Sequence, residues 1–158
     1  MPERRLSKTE FVPFLDVSDT PGSGSENWGR IDKSTIFNFA ANPQSESLDY
    51  ISTETPVEEV KNYTPELPME IALYQGNKVY DFLLKKFYGL PIGDGVFVPF
   101  LMCFGGDEAL AWKTKATLLL GGLDTVAGKL TFNLKIGGDI ERGTHDIANG
   151  QPTFTPND

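Results

Sequence analysis

From Ala111 to Thr144 the chain reads AWKTKATLLLGGLDTVAGKLTFNLKIGGDIERGT, and the second half of this stretch alternates without a break. Leu130, Phe132, Leu134 and Ile136 fall on one side, and Lys129, Thr131, Asn133 and Lys135 on the other. That is the period-two signature of a strand with one dry and one wet face. The first half opens the same way, with Trp112, Thr114, Ala116 and Leu118 against Lys113, Lys115 and Thr117. It then runs apolar through Leu118, Leu119 and Leu120, which predicts a stretch covered on both faces. Gly121, Gly122, Asp124 and Gly128 join the halves, so the whole stretch predicts an antiparallel hairpin on which the core is built.

Bulk properties limit what such a hairpin belongs to. At 158 residues the chain is long enough to bury a core without staples, and one compact domain with loose ends is expected. The apolar fraction of 39% rises to about half once the 16 glycines are included, as in ordinary globular chains. A net charge of −8 and a pI near 4.6 disfavour a charge-based grip on nucleic acid or anionic membranes. The single cysteine, Cys103, sits in VFVPFLMCF without cationic neighbours and reads as a small buried hydrophobe. No apolar run approaches the ~18 residues of a membrane span, and Met1 to Arg5 is not followed by a signal-peptide core. Synthesis in a reducing cytoplasm is expected, with no membrane insertion. The sequon Asn62-Tyr63-Thr64, with Pro65 behind it, is then a chance match.

Residues 1–27 lack periodicity and are expected to form a flexible N-terminal arm ending in the linker-like TPGSGSE of residues 20–26. Phe11 and Phe14 would be wasted on a solvated tail, so the arm is expected to dock on the domain or on a neighbour. The domain proper is expected over residues 28–143, with a polar C-terminal tail over residues 144–158. Trp28 to Ala41 is rich in β-branched and aromatic residues and predicts a strand, closed by Asn42-Pro43. Leu48, Tyr50 and Ile51 predict a second, short one. STETPVEEVKNYTPE, residues 52–66, is too polar for core and too long for a tight turn. Loops of that length usually have a job, so it is a candidate interaction loop.

LPMEIALY, residues 67–74, supplies a further strand, which Pro68 confines to an edge or to its own first residues. The period then changes. Val79, Phe82, Leu83 and Phe87 fall at helical spacing, with Asn77 as N-cap, Gly89 suited to the C′ position and Pro91 forbidding continuation. Glycine-rich turns at 93–95 and 105–107 bracket another strand, Val96 to Phe104.

Motifs for chemistry are scarce. The only histidine, His145, stands beside Asp146 without a second His or paired Cys, so no zinc set is recognisable. No GxSxG elbow offers a nucleophile, and GSGS near residue 22 is followed by no phosphate-binding Lys. Catalytic, cofactor and metal residues are therefore expected to be absent, and the chain is read as a non-enzyme.

The order of WGRIDKSTIFNFAANPQSESLDYISTETPVEEVKNYTPEL, IALYQGNKVYDFLLKKFYGLPIGD and AWKTKATLLLGGLDTVAGKLTFNLKIGGDIERGT resembles the major tail (tail tube) proteins of long flexible-tailed bacteriophages and related prophages. The likeness spans roughly residues 28 to 150. Leu48-Asp49-Tyr50-Ile51 with its acidic loop, the helix running into Phe87-Tyr88-Gly89-Leu90-Pro91, and Gly128-Lys129-Leu130-Thr131-Phe132 carry most of it.

That resemblance implies a mainly β chain, a β-sandwich flanked by one α-helix, with six copies to a ring and rings stacked as the conduit for genome ejection. It further implies a virion protein of the phage tail, assembled in the bacterial host cytoplasm. Its partners would be copies of itself and the tape-measure, tail-terminator and distal tail proteins, with DNA passing through the lumen without specific binding. Leu48, Tyr50, Ile51, Val57 and Tyr63, together with Phe11 and Phe14, are the candidate subunit-interface residues. Two other classes stay open, a monomeric β-sandwich binding or adhesion module and a tube or ring component of a contractile or secretion apparatus. Lys113, Lys115, Lys129 and Lys135 would count against a DNA-repelling bore if their face lined it.

Overall fold

The computed structural model describes residues 3–18 and 27–157. The TPGSGSE linker lies outside the described residues. Ten strands and one helix follow in order: β1 (Val12–Asp16), β2 (Trp28–Arg30), β3 (Pro43–Leu48), β4 (Val57–Tyr63), β5 (Glu66–Ala72), α1 (Lys78–Gly89), β6 (Phe97–Cys103), β7 (Leu110–Asp124), β8 (Lys129–Ile136), β9 (Glu141–Ala148) and β10 (Gln151–Pro156). The fold is mainly β with one helix, as expected.

The hairpin read from the sequence is present and central. β7 pairs with β8 in antiparallel register, Leu118 opposite Leu134 and Leu120 opposite Phe132, with a shift between Leu120 and Leu123 where the glycines lie. Leu130, Phe132, Leu134 and Ile136 are all buried, so the alternation does mark the inner face. Leu119, however, is exposed, so the Leu118–Leu120 run is not covered on both faces.

β7 carries more than one partner. Its residues 111–117 pair with β6 along one edge. Its start, Leu110–Lys113, pairs with β9 along the other edge, which β8 takes over from Ala116 onward. β6 continues through β1 to β2, and β8 continues to β5. The sheet therefore curls into two facing layers, β6-β1-β2 and β8-β5, with β7 belonging to both. Leu15, Val98, Phe100 and Met102 from one layer meet Leu67, Met69, Ile71 and Phe132 from the other in the main core. Residues 31–40 nearly close the curl along the free edge of β5, through backbone bonds from Thr35 to Glu70, Ala72 to Lys33, and between Ala40 and Glu66.

The strand expected over Trp28–Ala41 stops at Arg30. The Ser34 hydroxyl donates to the Ile36 carbonyl at 2.6 Å and accepts the Ile36 N–H at 3.2 Å, a local closure that withdraws this backbone from continuous pairing. Only isolated bridges, Ser34 to Ile71 and Ala40 to Glu66, remain.

The N-terminal segment docks on the domain, the first of the two outcomes expected for it, and does so as a strand; the C-terminal segment is not the polar tail expected. β1 is inserted between β6 and β2, and all five of its residues are buried. Leu15 joins the main core, while Val12 and Phe14 face outward into a second cluster with Trp28, Leu101, Cys103 and Ala111. At the other end, residues expected as a polar tail form most of the β9–β10 hairpin, and Phe154 packs against that same second cluster.

The helix begins where the sequence places it. The Asn77 carboxamide oxygen accepts the Tyr80 N–H at 3.1 Å, and Val79 and Leu83 enter the main core. It ends one residue later than its glycine suggests. Gly89 is the last helical residue, and Leu90 takes the left-handed cap at φ 48°.

Candidate subunit interface

β3 and β4 form a two-stranded sheet of their own, apart from the eight-stranded one. Seven of the fifteen residues read as an unstructured loop over 52–66 are thus the second strand of a hairpin. Asn42, at φ 49°, turns the chain into it, and its side chain donates to the Thr64 carbonyl at 3.2 Å, which pins the base. Every residue of β4 is exposed. On β3 only Leu48 is partly covered, and the strand itself ends there, with Tyr50 and Ile51 in the turn that follows. Tyr50, Ile51, Val57, Val60 and Tyr63 are all exposed large hydrophobics, Ile51 completely so. A hairpin of two strands with no packed face is marginally stable in water. This one presents apolar side chains that its own chain leaves uncovered.

The hairpin is acidic. It carries Glu46, Asp49, Glu54, Glu58 and Glu59 against Lys61, and Lys61 pairs with Glu46 at 3.0 Å and Glu59 at 3.8 Å. Pairs of this exposure contribute little to stability. They leave Asp49, Glu54 and Glu58 as the outward charge.

The two arm residues separate. Phe14 is fully buried between β6 and β2, so its ring belongs to this chain's own core and cannot meet a neighbour. Phe11 is half-buried and lines a groove of about 630 Å³ between the N-terminal segment and residues 30–39. Ile36, Phe37 and Phe39 line it from the other side, and its charged lining is Lys8, Arg30 and Asp32. Phe39 is held by Trp112, edge-on at 5.6 Å between centroids, and Phe104 stacks on it at 6.3 Å. The N-terminal wall is fixed by Arg4, which bridges Glu10 at 3.0 Å and Asp107 at 3.1 Å. That guanidinium holds the Glu10 carboxyl below the usual carboxylate range.

A further exposed apolar run, Tyr88, Leu90 and Ile92, spans the end of α1. The sequence reading passed over it, and over Ile36 and Phe37. FYGLPI was readable as a helix stop, but nothing in it says that its side chains stay wet.

Among the described residues, no group of three or more His, Cys, Asp and Glu stands close enough to hold a metal. His145 places Nε2 at 3.0 Å from the Phe104 carbonyl oxygen. Cys103 is buried in the second cluster, and burial pushes its thiol up to about 12. No described helix is long and apolar enough to cross a membrane.

The lysines of the central hairpin are balanced where β5 lies beside them. Lys129 Nζ is 3.4 Å from Glu70, and Lys135 pairs in register with Glu66. Lys115 sits over the Phe97 ring at 5.2 Å. The face they share is mixed in sign rather than basic.

Neither a protein-family model nor a curated protein matches the chain. Solved structures do. A chain from the tail of an empty gene transfer agent particle, determined with C6 symmetry, has a TM-score of 0.57 at 11% identity, covering 86% of this chain and 97% of its own. A chain from the virion of a native gene transfer agent particle gives 0.58 at 9% identity, with 89% and 100% covered. A chain from the sheath/tube terminator of an extracellular contractile injection system, in its extended state, gives 0.51 at 7% identity, with 90% and 99% covered. At these identities what is shared is the fold, and it is shared over nearly the whole of each chain.

Proposed function

We propose that this chain is a structural tail-tube subunit: copies assemble into rings, six to a ring, and the rings stack into a tube that conducts a genome out of a phage-type particle. One observation carries the reading. A fold shared end to end with chains of tail particles bears a hairpin whose second strand is exposed at every residue and whose apolar side chains find no cover within the chain. Leu48, Tyr50, Ile51, Val57 and Tyr63 on that hairpin are the proposed contact residues, with Phe11 contributing from the groove wall. The mixed-sign lysine face and a net charge of −8 support passage of DNA without specific binding. Tape-measure, terminator and distal tail proteins are the partners the role requires.

The likeness to the contractile injection system chain favours a second reading, a tube component of such a machine. It shares the assembly chemistry and differs in cargo.

Negative-stain electron microscopy of the purified protein over a concentration series tests the proposal. Hollow tubes or rings of uniform width are expected. Monomers at every concentration would overturn it in favour of a monomeric binding module. Deleting residues 52–64 is expected to leave a folded monomer that does not polymerise.

A further inference from the structure

We propose that the groove walled by Phe11, Ile36, Phe37 and Phe39 is the receptor for the tip of the β3–β4 hairpin of a second copy of this chain. The inference rests on the assembly reading and adds to it the surface that receives the hairpin.

The two surfaces match in chemistry. The groove is apolar and open, with Ile36 41% and Phe37 44% exposed. The hairpin tip offers Tyr50, Ile51 and Val57, which need cover. Lys8 and Arg30, which line the groove together with Asp32, make no ion pair with any described residue. On the hairpin Asp49, Glu54 and Glu58 make none either. Two unpaired cations against the one carboxylate of Asp32 in the groove lining face three unpaired carboxylates around an apolar tip, a complementarity that orients the encounter as well as holding it.

The chain does not fill its own groove. No residue from 43 to 63 lines it. The occupant assigned is the hairpin of a second copy, whose tip joins exposed Tyr50, Ile51 and Val57 to three carboxylates that make no ion pair. Donor and receptor are different patches, so the contact is heterologous. Each copy gives a tip and receives one, and the series continues until it closes or grows as a filament.

Crosslinking tests the contact directly. Ile51→Cys and Phe37→Cys are made in separate chains, mixed under assembly conditions and oxidised. The native Cys103 is buried with its thiol pushed up to about 12, so it adds no background. A disulfide-linked dimer is expected in the mixture and in neither variant alone. Ile51→Asp and Phe37→Asp should each raise the concentration needed for assembly about tenfold or more. Mixed, they should give one-to-one heterodimers and nothing longer, because one intact tip and one intact groove remain between them. Both positions are exposed, so unchanged thermal melts will show that the variants fold. Tubes from the wild type with no disulfide between Ile51→Cys and Phe37→Cys chains, or assembly of Phe37→Asp at the wild-type concentration, would overturn the groove assignment and leave the tube subunit standing. A wild-type protein that stays monomeric at all concentrations, with no disulfide in the mixture of cysteine variants, would overturn both.

Discussion

Gly143 of β9 lies directly against the backbone carbonyl of Thr155 in β10. A Cβ at position 143 would run into the carbonyl carbon and oxygen of Thr155 and the Cα of Pro156, all main-chain atoms that cannot rotate away. Gly143 is buried, with Ala111 of β7 opposite it on one side and Pro156 on the other, so the glycine is where the terminal hairpin is allowed to close. Gly143→Ala is expected to destabilise the fold by about 2–3 kcal/mol. The urea midpoint reports it, with Gly150→Ala unsuitable as a control because Gly150 has its own positive φ.

The helix start depends on one carboxamide. Asn77 accepts from Tyr80 N–H and donates to Asp32 at 3.0 Å, joining the helix to the run after β2. Asn77→Ala should cost about 1 kcal/mol, and Asn77→Asp should retain the cap but replace the link to Asp32 with repulsion between two carboxylates. Thermal melts of the two variants separate these contributions.

Leu90 holds a left-handed conformation with its side chain 69% exposed, so packing returns little for the strain. A left-handed residue with a Cβ costs roughly 1–2 kcal/mol, against roughly 0.5–1 kcal/mol of extra unfolded-state entropy for glycine. Leu90→Gly is therefore expected to raise stability by about 0.5–1 kcal/mol. An unchanged or lowered denaturant midpoint would contradict this account of the cap.

Alkaline pH should act through Cys103. Its thiol would lose a proton near 9.0 in the unfolded chain but only near 12 when buried. The folded state then holds more protons between those values, and stability present below pH 9 is lost as pH rises toward 12, by about 1.4 kcal/mol per pH unit. Lysines and tyrosines titrate in the same range, so the measurement is the difference between wild type and Cys103→Ala across urea midpoints from pH 8 to 11. A difference that stays flat over that range would refute the burial argument.

What the sequence revealed about this fold followed from one-sided burial. β8 is dry on one face and wet on the other, and LTFNLKI records that alternation. β1 and β4 are the two opposite cases. VPFLD is buried at every position because clusters lie on both sides of it, which erases the period and leaves a short apolar run interrupted by Pro13. VEEVKNY is exposed at every position, so no burial is imprinted on it and it reads as a loop. The same limit governs the interface residues. Tyr50, Ile51, Val57 and Tyr63 stood out as apolar side chains in a polar context, and they are exposed. Phe14 stood out for the same reason and is core, because a sequence does not say which molecule will cover an apolar residue.

β7 runs fifteen residues, about 50 Å of extended chain. It is hydrogen-bonded to β6 on one edge and to β9 and then β8 on the other, so it acts as a beam built into both layers of the subunit. A beam held along its length does not flex without breaking several ladders at once. Any curvature in a filament of such subunits must then fall on the joints between them. Stiffness and flexibility would be set by separate parts of one chain, the first by β7 and the second by the hairpin that reaches out of the fold.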